Sequence, residues 1–386
     1  MNYKQSTLNQ IRKNINEIDE KILILLSKRR SLSVEIAEIK FKDHRPIRDI
    51  ERELLVIERL VIIGEKYHLN SCFIAKLFQL IIEDSVLIQE SALKKKPKYS
   101  CDNITKITFL GPKGSYSHIA ARKYFTQSFD NIVECACLSF FDIIQYVEKG
   151  IADHAILPIE NTSSGSINEV YDLLQHTNLS ITHEITLHID HCLLSKRGTN
   201  LDEICTIYSH LQPFQQCSNF IKLFPHWNIK YTTSTAIAMQ KVEELNSSKI
   251  AALGSEAGGS LYNLQVLHRH LANQEYNQTR FIVLSRNPIE VDDHVAAKTT
   301  IIVATGQRVG SLVEVLLVLH KHNLVVNKLE SRPINGNPWK EIFYLDIQSN
   351  LKSKNMKNAL EDIKNITYYL RILGCYPSES NTFTRM

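Results

Sequence analysis

Arg29 occupies a place where the surrounding sequence asks for an apolar side chain. Leu8, Ile11, Ile15, Ile18, Ile22, Leu25, Leu32, Ile36 and Ile39 recur at steps of three and four, a heptad seam in which Arg29 fills the gap between Leu25 and Leu32. A cation on such a stripe needs an anionic partner, because burying it alone is costly, unless its stem snorkels to solvent. Lys40 follows eleven residues later, about 20° round the helix and about 16 Å along it, so the two cations share a face. Arg12 lies about 100° round and about 25 Å from Arg29; if it serves such a pocket, the pocket belongs to another copy of the chain. Farther on, Ile74, Phe78, Ile81, Ser85 and Ile88 mark a second apolar stripe, and Gln89 follows Ser85 at one helical turn. Asp49, Arg52 and Glu53 open the segment between the two stripes. Each polar group alone reads as a surface residue; converging in an apolar bundle, they describe a small pocket for an anion.

A second set of groups falls at the ends of expected strands. Ile107–Leu110 runs into GPKGSYSHIAARKY, whose Gly111 and Gly114 fit neither the GxGxxG nor the Walker spacing; a tight turn with Ser115 or Ser117 as a helix cap accounts for them. Ala155–Pro158 leads to Glu160, Asn161, Thr162, Ser163, Ser164 and Gly165 and then a helix. Hydroxyls and backbone N–H groups at a helix start can bind a carboxylate, and they equally make an ordinary cap. Thr279 and Arg280 lead into the strand FIVLS, which begins at Phe281.

The elements that must position these groups divide the chain into three segments. The first is helical: about Ser6 to Lys42, about 55 Å long, then Asp49 to Lys66 after the break at Pro46, then from an Asn70 cap to Ser91. Neither shorter helix covers the long one, so a second copy of the chain is its expected partner. The middle segment alternates strands and helices: a strand near His191–Leu194, a helix through Phe214–Leu223, a strand at Ile229–Thr233 and a helix from Ala236. That alternation predicts an α/β domain with a mixed or parallel sheet. Residues 299–376 read as strand Thr299–Ala304, helix Gly310–His322, strands Val325–Glu330 and Glu341–Ile347, helix Met356–Ile372 and a last short strand, the βαββαβ order of a ferredoxin-like layer.

Composition excludes several classes. A chain of 386 residues with 44% hydrophobic and 22% charged side chains is expected to form two or three globular domains. The net charge of +4 sits in residues 93–106, five lysines against one aspartate. That is a solvated linker, and no basic face for nucleic acid is expected. Of the eight cysteines, the nearest pair, Cys135 and Cys137, is C-x-C, which gives neither a disulfide framework nor a metal site. The N-terminus has no apolar leader and no apolar run approaches a membrane span, so a cytoplasmic location without membrane contact is expected.

The set Arg12, Arg29, Lys40, Asp49, Arg52, Glu53, Ser85 and Gln89, with the stretches HRPIRDIERE and LFQLIIEDSVLIQ, resembles the AroQ-type chorismate mutase domain, an entwined all-α helical dimer. GPKGSYSH, PIENTSSG, GSEAGG and NQTRF resemble prephenate dehydratase, a two-lobed α/β domain with its site in the cleft. GSLV at Gly310–Val313 and ESRP at Glu330–Pro333 resemble the GALV and ESRP motifs of α+β ferredoxin-like ACT domains, which bind phenylalanine at a dimer interface. From about residue 8 to 377, the order resembles that of the bifunctional chorismate mutase/prephenate dehydratase family of enteric-type bacteria.

This resemblance implies a mutase domain over residues 1–92, a basic linker over 93–105, a dehydratase domain over 106–286 and a regulatory domain over 299–376. In the mutase site, Arg29 of one chain and Arg12 of the other would grip two carboxylates, and Lys40 and Gln89 would donate to the breaking ether oxygen. Asp49, Arg52, Glu53 and Ser85 would place the ring hydroxyl and orient the cations. In the dehydratase site Thr279 would carry the catalytic role. Asn161, Thr162, Ser163 and Phe281 would line the pocket, and Arg280 would hold a carboxylate or support the loop. Gly310, Ser311, Leu312, Val313, Glu330, Ser331 and Arg332 would form the phenylalanine site. The implied ligands are chorismate, prephenate and phenylalanine; the implied assembly is a homodimer or larger, with no metal and no cofactor. Two departures stand out: Leu211 replaces the proline of the family's SHPQ, and Ser311 replaces the alanine of GALV. In a competing class, the same three segments would form a ligand sensor in which the helices serve only assembly; keeping Arg29 and Gln89 against an apolar core argues against it.

Overall fold

The computed structural model describes residues 2–43, 49–93, 104–125, 131–274, 276–293, 295–306, 309–334 and 337–378. The chain forms two units, residues 1–101 and 102–386. Most of the expected linker, residues 94–103, lies outside the described residues.

The first unit is three helices, α1 (Asn2–Lys42), α2 (Ile50–Lys66) and α3 (Ser71–Leu93). Asp49 caps α2 by accepting from Arg52 N at 3.1 Å, and Asn70 caps α3 by accepting from Phe73 N at 3.1 Å. Among the described side chains of this unit, the buried apolar ones are Ala37, Ile74, Ile82 and Val86. Ile15, Ile18, Ile22, Leu25, Leu32, Ile36 and Ile39 of the seam stay exposed within one chain.

The second unit begins with β1 (Thr105–Leu110), α4 (Tyr116–Phe125), β2 (Ile132–Cys137), α5 (Phe140–Glu148), β3 (His154–Asn161), β4 (Gly165–Ser166), α6 (Asn168–His176) and β5 (Ser180–His188). The chain crosses through residues 189–191 into a second lobe. This lobe holds β6 (Cys192–Ser195), β7 (Thr206–Ser209), α7 (Leu211–Gln216), α8 (Ser218–Ile221), β8 (Asn228–Tyr231), α9 (Thr235–Leu245), β9 (Ile250–Gly254), α10 (Glu256–Leu261) and β10 (Gln265–His268). It then returns to the first lobe as β11 (Gln278–Ser285). The first sheet has the order β2-β1-β3-β11-β5 with β4 beside β3, and the second β10-β6-β9-β7-β8. Both are mixed, as expected: β1 runs parallel to β2 and β3, whereas β11 is antiparallel to β3 and β5. The helix expected over Phe214–Leu223 is two short ones that meet at Cys217. The strand expected near His191 starts one residue later, which leaves His191 in the crossing.

The last segment holds β12 (Ala297–Thr305), α11 (Ser311–Lys321), β13 (Val326–Ile334), β14 (Asn337–Ile347), α12 (Lys354–Ile366) and β15 (Thr367–Pro377). These strands form an antiparallel sheet of order β13-β14-β12-β15. One face packs on both helices through Ile301, Val303, Leu345, Val315, Leu319, Met356 and Ile363. From the other, Ile302, Ile342, Tyr344, Leu373 and Tyr376 enter the core of the first lobe beside Val170, Tyr171 and Leu174. The expected helix Met356–Ile372 ends at Ile366, and the expected short last strand is eleven residues long. Thr367, Tyr368 and Tyr369, β-branched and aromatic, favour a pleated strand over another helical turn.

Where β15 passes β5, a Cβ on Gly374 would stand 2.0 Å from the Ile181 carbonyl oxygen. Backbone cannot give way as a flexible side chain does, so Gly374→Ala should force the two strands apart. The expected cost is about 3 kcal/mol, read as a lower urea midpoint for the second unit. An unchanged midpoint would show that this contact does not hold the two layers together.

Candidate functional site

In the helical unit the residues singled out by spacing fall into two contact groups. Arg29 donates through Nη1 to the Ile81 carbonyl at 3.0 Å and to Ser85 Oγ, while Ser85 Oγ itself donates to the same carbonyl at 2.9 Å. Thus α3 fixes the guanidinium. Among the described residues Arg29 forms no ion pair; the nearby Asp84 is taken by its neighbour Arg30, with Nε at 2.9 Å. Partial burial lowers the Arg29 pKa, and Asp84 only partly offsets it. Lys40 is likewise lowered by burial, against the raising fields of Asp49 and Glu53 and with a lowering contribution from Arg52. All three lie at the start of α2. Gln89, one turn beyond Ser85, is 7% exposed, and its Oε1 has no hydrogen-bond partner among the described residues. Arg12 is exposed on the same helix as Arg29 and contributes nothing to this cluster within one chain.

In the second unit the glycine-bearing loops hold the two lobes together. A Cβ on Gly258 would lie 2.7 Å from the Gly114 carbonyl oxygen, so only glycine permits that approach. Beside it, Tyr262 Oη donates to the Lys113 carbonyl at 2.7 Å. Ser115 caps α4 through His118 N at 3.2 Å, and the His118 ring accepts from Gly114 N at 3.1 Å. The GPKGSYSH loop is thus a capped turn that clasps the other lobe.

Asn161, at the end of β3, organises the loop that follows. Its Oδ1 accepts from Ser163 N and Ser164 N, both at 2.9 Å, and its Nδ2 donates to Thr279 Oγ1 at 2.9 Å and Asn277 Oδ1 at 2.7 Å. The β3–β11 register places Asn161 opposite Thr279. Next to this pair, a cavity of about 460 Å³ is lined by Ser163, Ser164, Gln212, Gln215, Gln216, Ala272, Asn273, Gln274 and Asn277. Of the expected dehydratase residues Ser163 lines that cavity, while Asn161 and Thr279 stand behind it, joined to it through Asn277. Thr162 serves the β3–β11 clasp: its Oγ1 accepts from Gln278 N at 2.9 Å.

For Arg280 the structure shows contacts within the chain, and for Phe281 the expectation requires correction. Arg280 is not directed at a ligand: it is 8% exposed, with Nε 2.6 Å from Glu160, Nη1 3.2 Å from Glu184 and Nη2 2.7 Å from Asp346. Three carboxylates hold its pKa well above the usual arginine value despite burial; they lie on β3, β5 and β14, so Arg280 ties these strands together. Phe281 does not line the pocket either. Strand alternation turns it into the core with Ile107, Phe109 and Val283.

In the last segment Gly310 precedes α11 with φ 82°, and Ser311 Oγ donates to the Gly306 carbonyl at 2.6 Å. Leu312 is half-buried; Val313 and Ser331 are exposed. Glu330 and Arg332 are engaged inside the chain: Glu330 accepts from Ser166 Oγ at 2.5 Å, and Arg332 grips Asp172 of α6 through two contacts at 2.8 Å. Lys328 bridges Glu160 at 2.6 Å and Glu330 at 3.5 Å. These contacts join the strand carrying ESRP to the carboxylate that pairs with Arg280.

Leu211, where the related motif has proline, is the first residue of α7 and is half-exposed. The cap comes from His210, whose ring accepts from Gln212 N at 3.3 Å, so the helix starts without proline. Tyr116, His191, Gln216 and Asn277 are site residues that the spacing does not single out. Tyr116 and Asn277 lie inside the motifs GPKGSYSH and NQTRF, which was the available signal. His191 and Gln216 carry none.

Comparison with known proteins accounts for both units. The chorismate mutase type II family matches residues 11–90 and the prephenate dehydratase family residues 107–289. The bifunctional chorismate mutase/prephenate dehydratase of Enterobacter agglomerans is 60% identical over 370 residues, 96% of each chain. That of Escherichia coli K12 is 56% identical over 376 residues, 97% of each chain. Among solved structures, a prephenate dehydratase from Arthrobacter aurescens in complex with L-Phe superposes with a TM-score of 0.65 at 25% identity, covering 71% of this chain and 90% of that one. With near-full-length identity at this level and both catalytic units present in the same order, the chain belongs to the bifunctional chorismate mutase/prephenate dehydratase family.

Proposed function

We propose that the helical unit rearranges chorismate to prephenate and that the second unit converts prephenate to phenylpyruvate, carbon dioxide and water, under inhibition by phenylalanine. Two polar constellations in one chain carry this assignment: Arg29–Ser85 beside Gln89, whose Oε1 has no hydrogen-bond partner among the described residues, and Asn161–Thr279 behind a polar cavity.

The first reaction is intramolecular. It needs a scaffold that holds the reactive conformer and stabilises charge on the breaking ether oxygen. Arg29 and the partner chain's copy of Arg12 take the two carboxylates, and Lys40 and Gln89 donate to the ether oxygen. Asp49, Arg52 and Glu53 set the field at Lys40 and meet the ring hydroxyl, and Ser85 orients Arg29. The open apolar seam of α1 supports an entwined dimer, since no other described element of this unit covers it. Among the described residues no helix is long and apolar enough to cross a membrane, and we read the protein as a cytoplasmic homodimer.

In the second reaction hydroxide is a poor leaving group, so a donor must meet it. Thr279 is that donor, with Asn161, Ser163 and Ser164 shaping the pocket. Residues 299–376 form a ferredoxin-like ACT domain. Phenylalanine binds near Gly310–Val313, where the exposed Val313 and Leu317 leave room for a partner domain. The Lys328–Glu160–Arg280 chain offers a route from that domain to the strand bearing Thr279.

Chorismate added to the purified protein should yield prephenate and then phenylpyruvate, and added phenylalanine should suppress the second product. Conversion without suppression would remove the regulatory assignment. A folded dimer that converts neither substrate would sink both catalytic ones.

A further inference from the structure

The two lobes are joined by two crossings, and His191 lies in the first, 2% exposed. Its Nε2 is 2.8 Å from Gln216 Oε1, and its Nδ1 is 2.9 Å from Tyr116 Oη. Gln216 Oε1 also accepts from Asn277 Nδ2 at 3.3 Å. From Asn277 the chain of hydrogen bonds continues through Asn161 to Thr279 Oγ1. Tyr116 belongs to the first lobe and Gln216 to the second, so the imidazole spans the cleft.

The polarity of this chain follows from what each group can do. A carboxamide oxygen only accepts, so His191 Nε2 carries the hydrogen and Nδ1 keeps a lone pair; the single Tyr116 hydrogen is shared between that lone pair and the Asp190 carbonyl oxygen, 2.9 and 2.8 Å from Oη. Burial lowers the His191 pKa and raises that of Tyr116, so both remain neutral. With Gln216 Oε1 drawn inward by two donors, the amino group of the same carboxamide is the end presented to the cavity that Gln216 lines.

We propose that His191 is a positioning residue of the dehydratase site. Held beside the Tyr116 hydroxyl with its Nε2–H on Gln216 Oε1, it orients the Gln216 carboxamide so that its N–H groups meet an oxygen of prephenate. The proposal rests on the dehydratase assignment, and turnover of prephenate by the unmodified protein tests that assignment separately.

The test compares His191→Leu, His191→Gln and Tyr116→Phe with prephenate as substrate. Losing the orientation of one donor should lower kcat about 10–100-fold in His191→Leu, with KM moving less than about threefold. A glutamine retains an N–H for Gln216 and an acceptor for Tyr116, so His191→Gln should recover to within about fivefold of the unmodified protein. Tyr116→Phe keeps the ring and drops one hydroxyl; about a 3–10-fold loss in kcat is expected. Urea midpoints of the second unit establish that each variant is folded. Full kcat in His191→Leu would overturn the proposal, as would a folded His191→Gln no better than His191→Leu. If His191→Leu does not fold, unchanged kcat in Tyr116→Phe overturns it instead.

Discussion

Arg29→Ala is expected to lower chorismate turnover by about 10²–10³-fold, the loss that follows removal of a preorganised donor from a transition state. Turnover of prephenate supplied directly should stay at the unmodified rate, because the dehydratase residues all lie in the second unit. The guanidinium is held by Ser85 and the Ile81 carbonyl before any substrate arrives, so no reorganisation precedes its contact with a carboxylate. Partial burial strengthens that contact relative to water. Ser85→Ala should do less harm, since the Ile81 carbonyl still holds Nη1. Lys40→Ala should match Arg29→Ala in size and also reveal itself in the pH profile. Burial lowers the Lys40 pKa, so the ammonium is lost on the alkaline side before an ordinary lysine would titrate. Mutase turnover should therefore fall as pH rises through that lowered value, and be full below it. Steady-state rates against pH check both variants; a mutase rate unchanged in Lys40→Ala would remove that residue from the mechanism.

The mutase constellation was legible in the sequence because helical period is local. Arg29, Ser85 and Gln89 stand out against apolar stripes whose spacing is fixed by 3.6 residues per turn, and α3 returns them to one place. The dehydratase site was legible only where a motif carries it. Tyr116, His191, Gln216, Asn277 and Asn161 make one hydrogen-bonded chain. They come from both lobes and both crossings, and nothing in local period brings such residues together. Arg280 and Phe281 illustrate a different limit. Neighbours on a strand face opposite ways, so at most one of them could share the face of its pocket. In β11 that alternation turns Phe281 into the core of the first lobe and Arg280 into the ion-pair layer against β14. At the C-terminus the polar, Lys-rich start of α12 extends a helical pattern only as far as Ile366. The run Thr367–Tyr369 reads as strand once β propensity is weighed against it, and its pairing partner, β12, lies some sixty residues upstream.

Thr279→Ala should lower the rate of prephenate conversion by about 10²–10⁴-fold, the range for loss of a positioned proton donor, whereas Thr279→Ser should stay within about tenfold. Thr279 is 8% exposed, and its hydroxyl accepts from Asn161 Nδ2 at 2.9 Å. That bond occupies a lone pair and turns the O–H toward other acceptors, and accepting one hydrogen bond makes the group a better donor of the next. Serine keeps the hydroxyl but loses the methyl group that limits its rotation, which accounts for a modest loss. Asn161→Asp separates the hydroxyl from its support. A carboxylate at that position accepts where the amide donates, so it would draw the Thr279 proton toward itself and away from the leaving hydroxide. That variant should approach Thr279→Ala in rate while retaining the threonine. It would also keep acceptors for Ser163 N and Ser164 N, so the loop can persist. Phenylpyruvate formation from prephenate by the three variants separates the roles. Full activity in Thr279→Ala would end the assignment of this hydroxyl. Loss in Thr279→Ala with full activity in Asn161→Asp would leave the hydroxyl in place and remove the polarising amide.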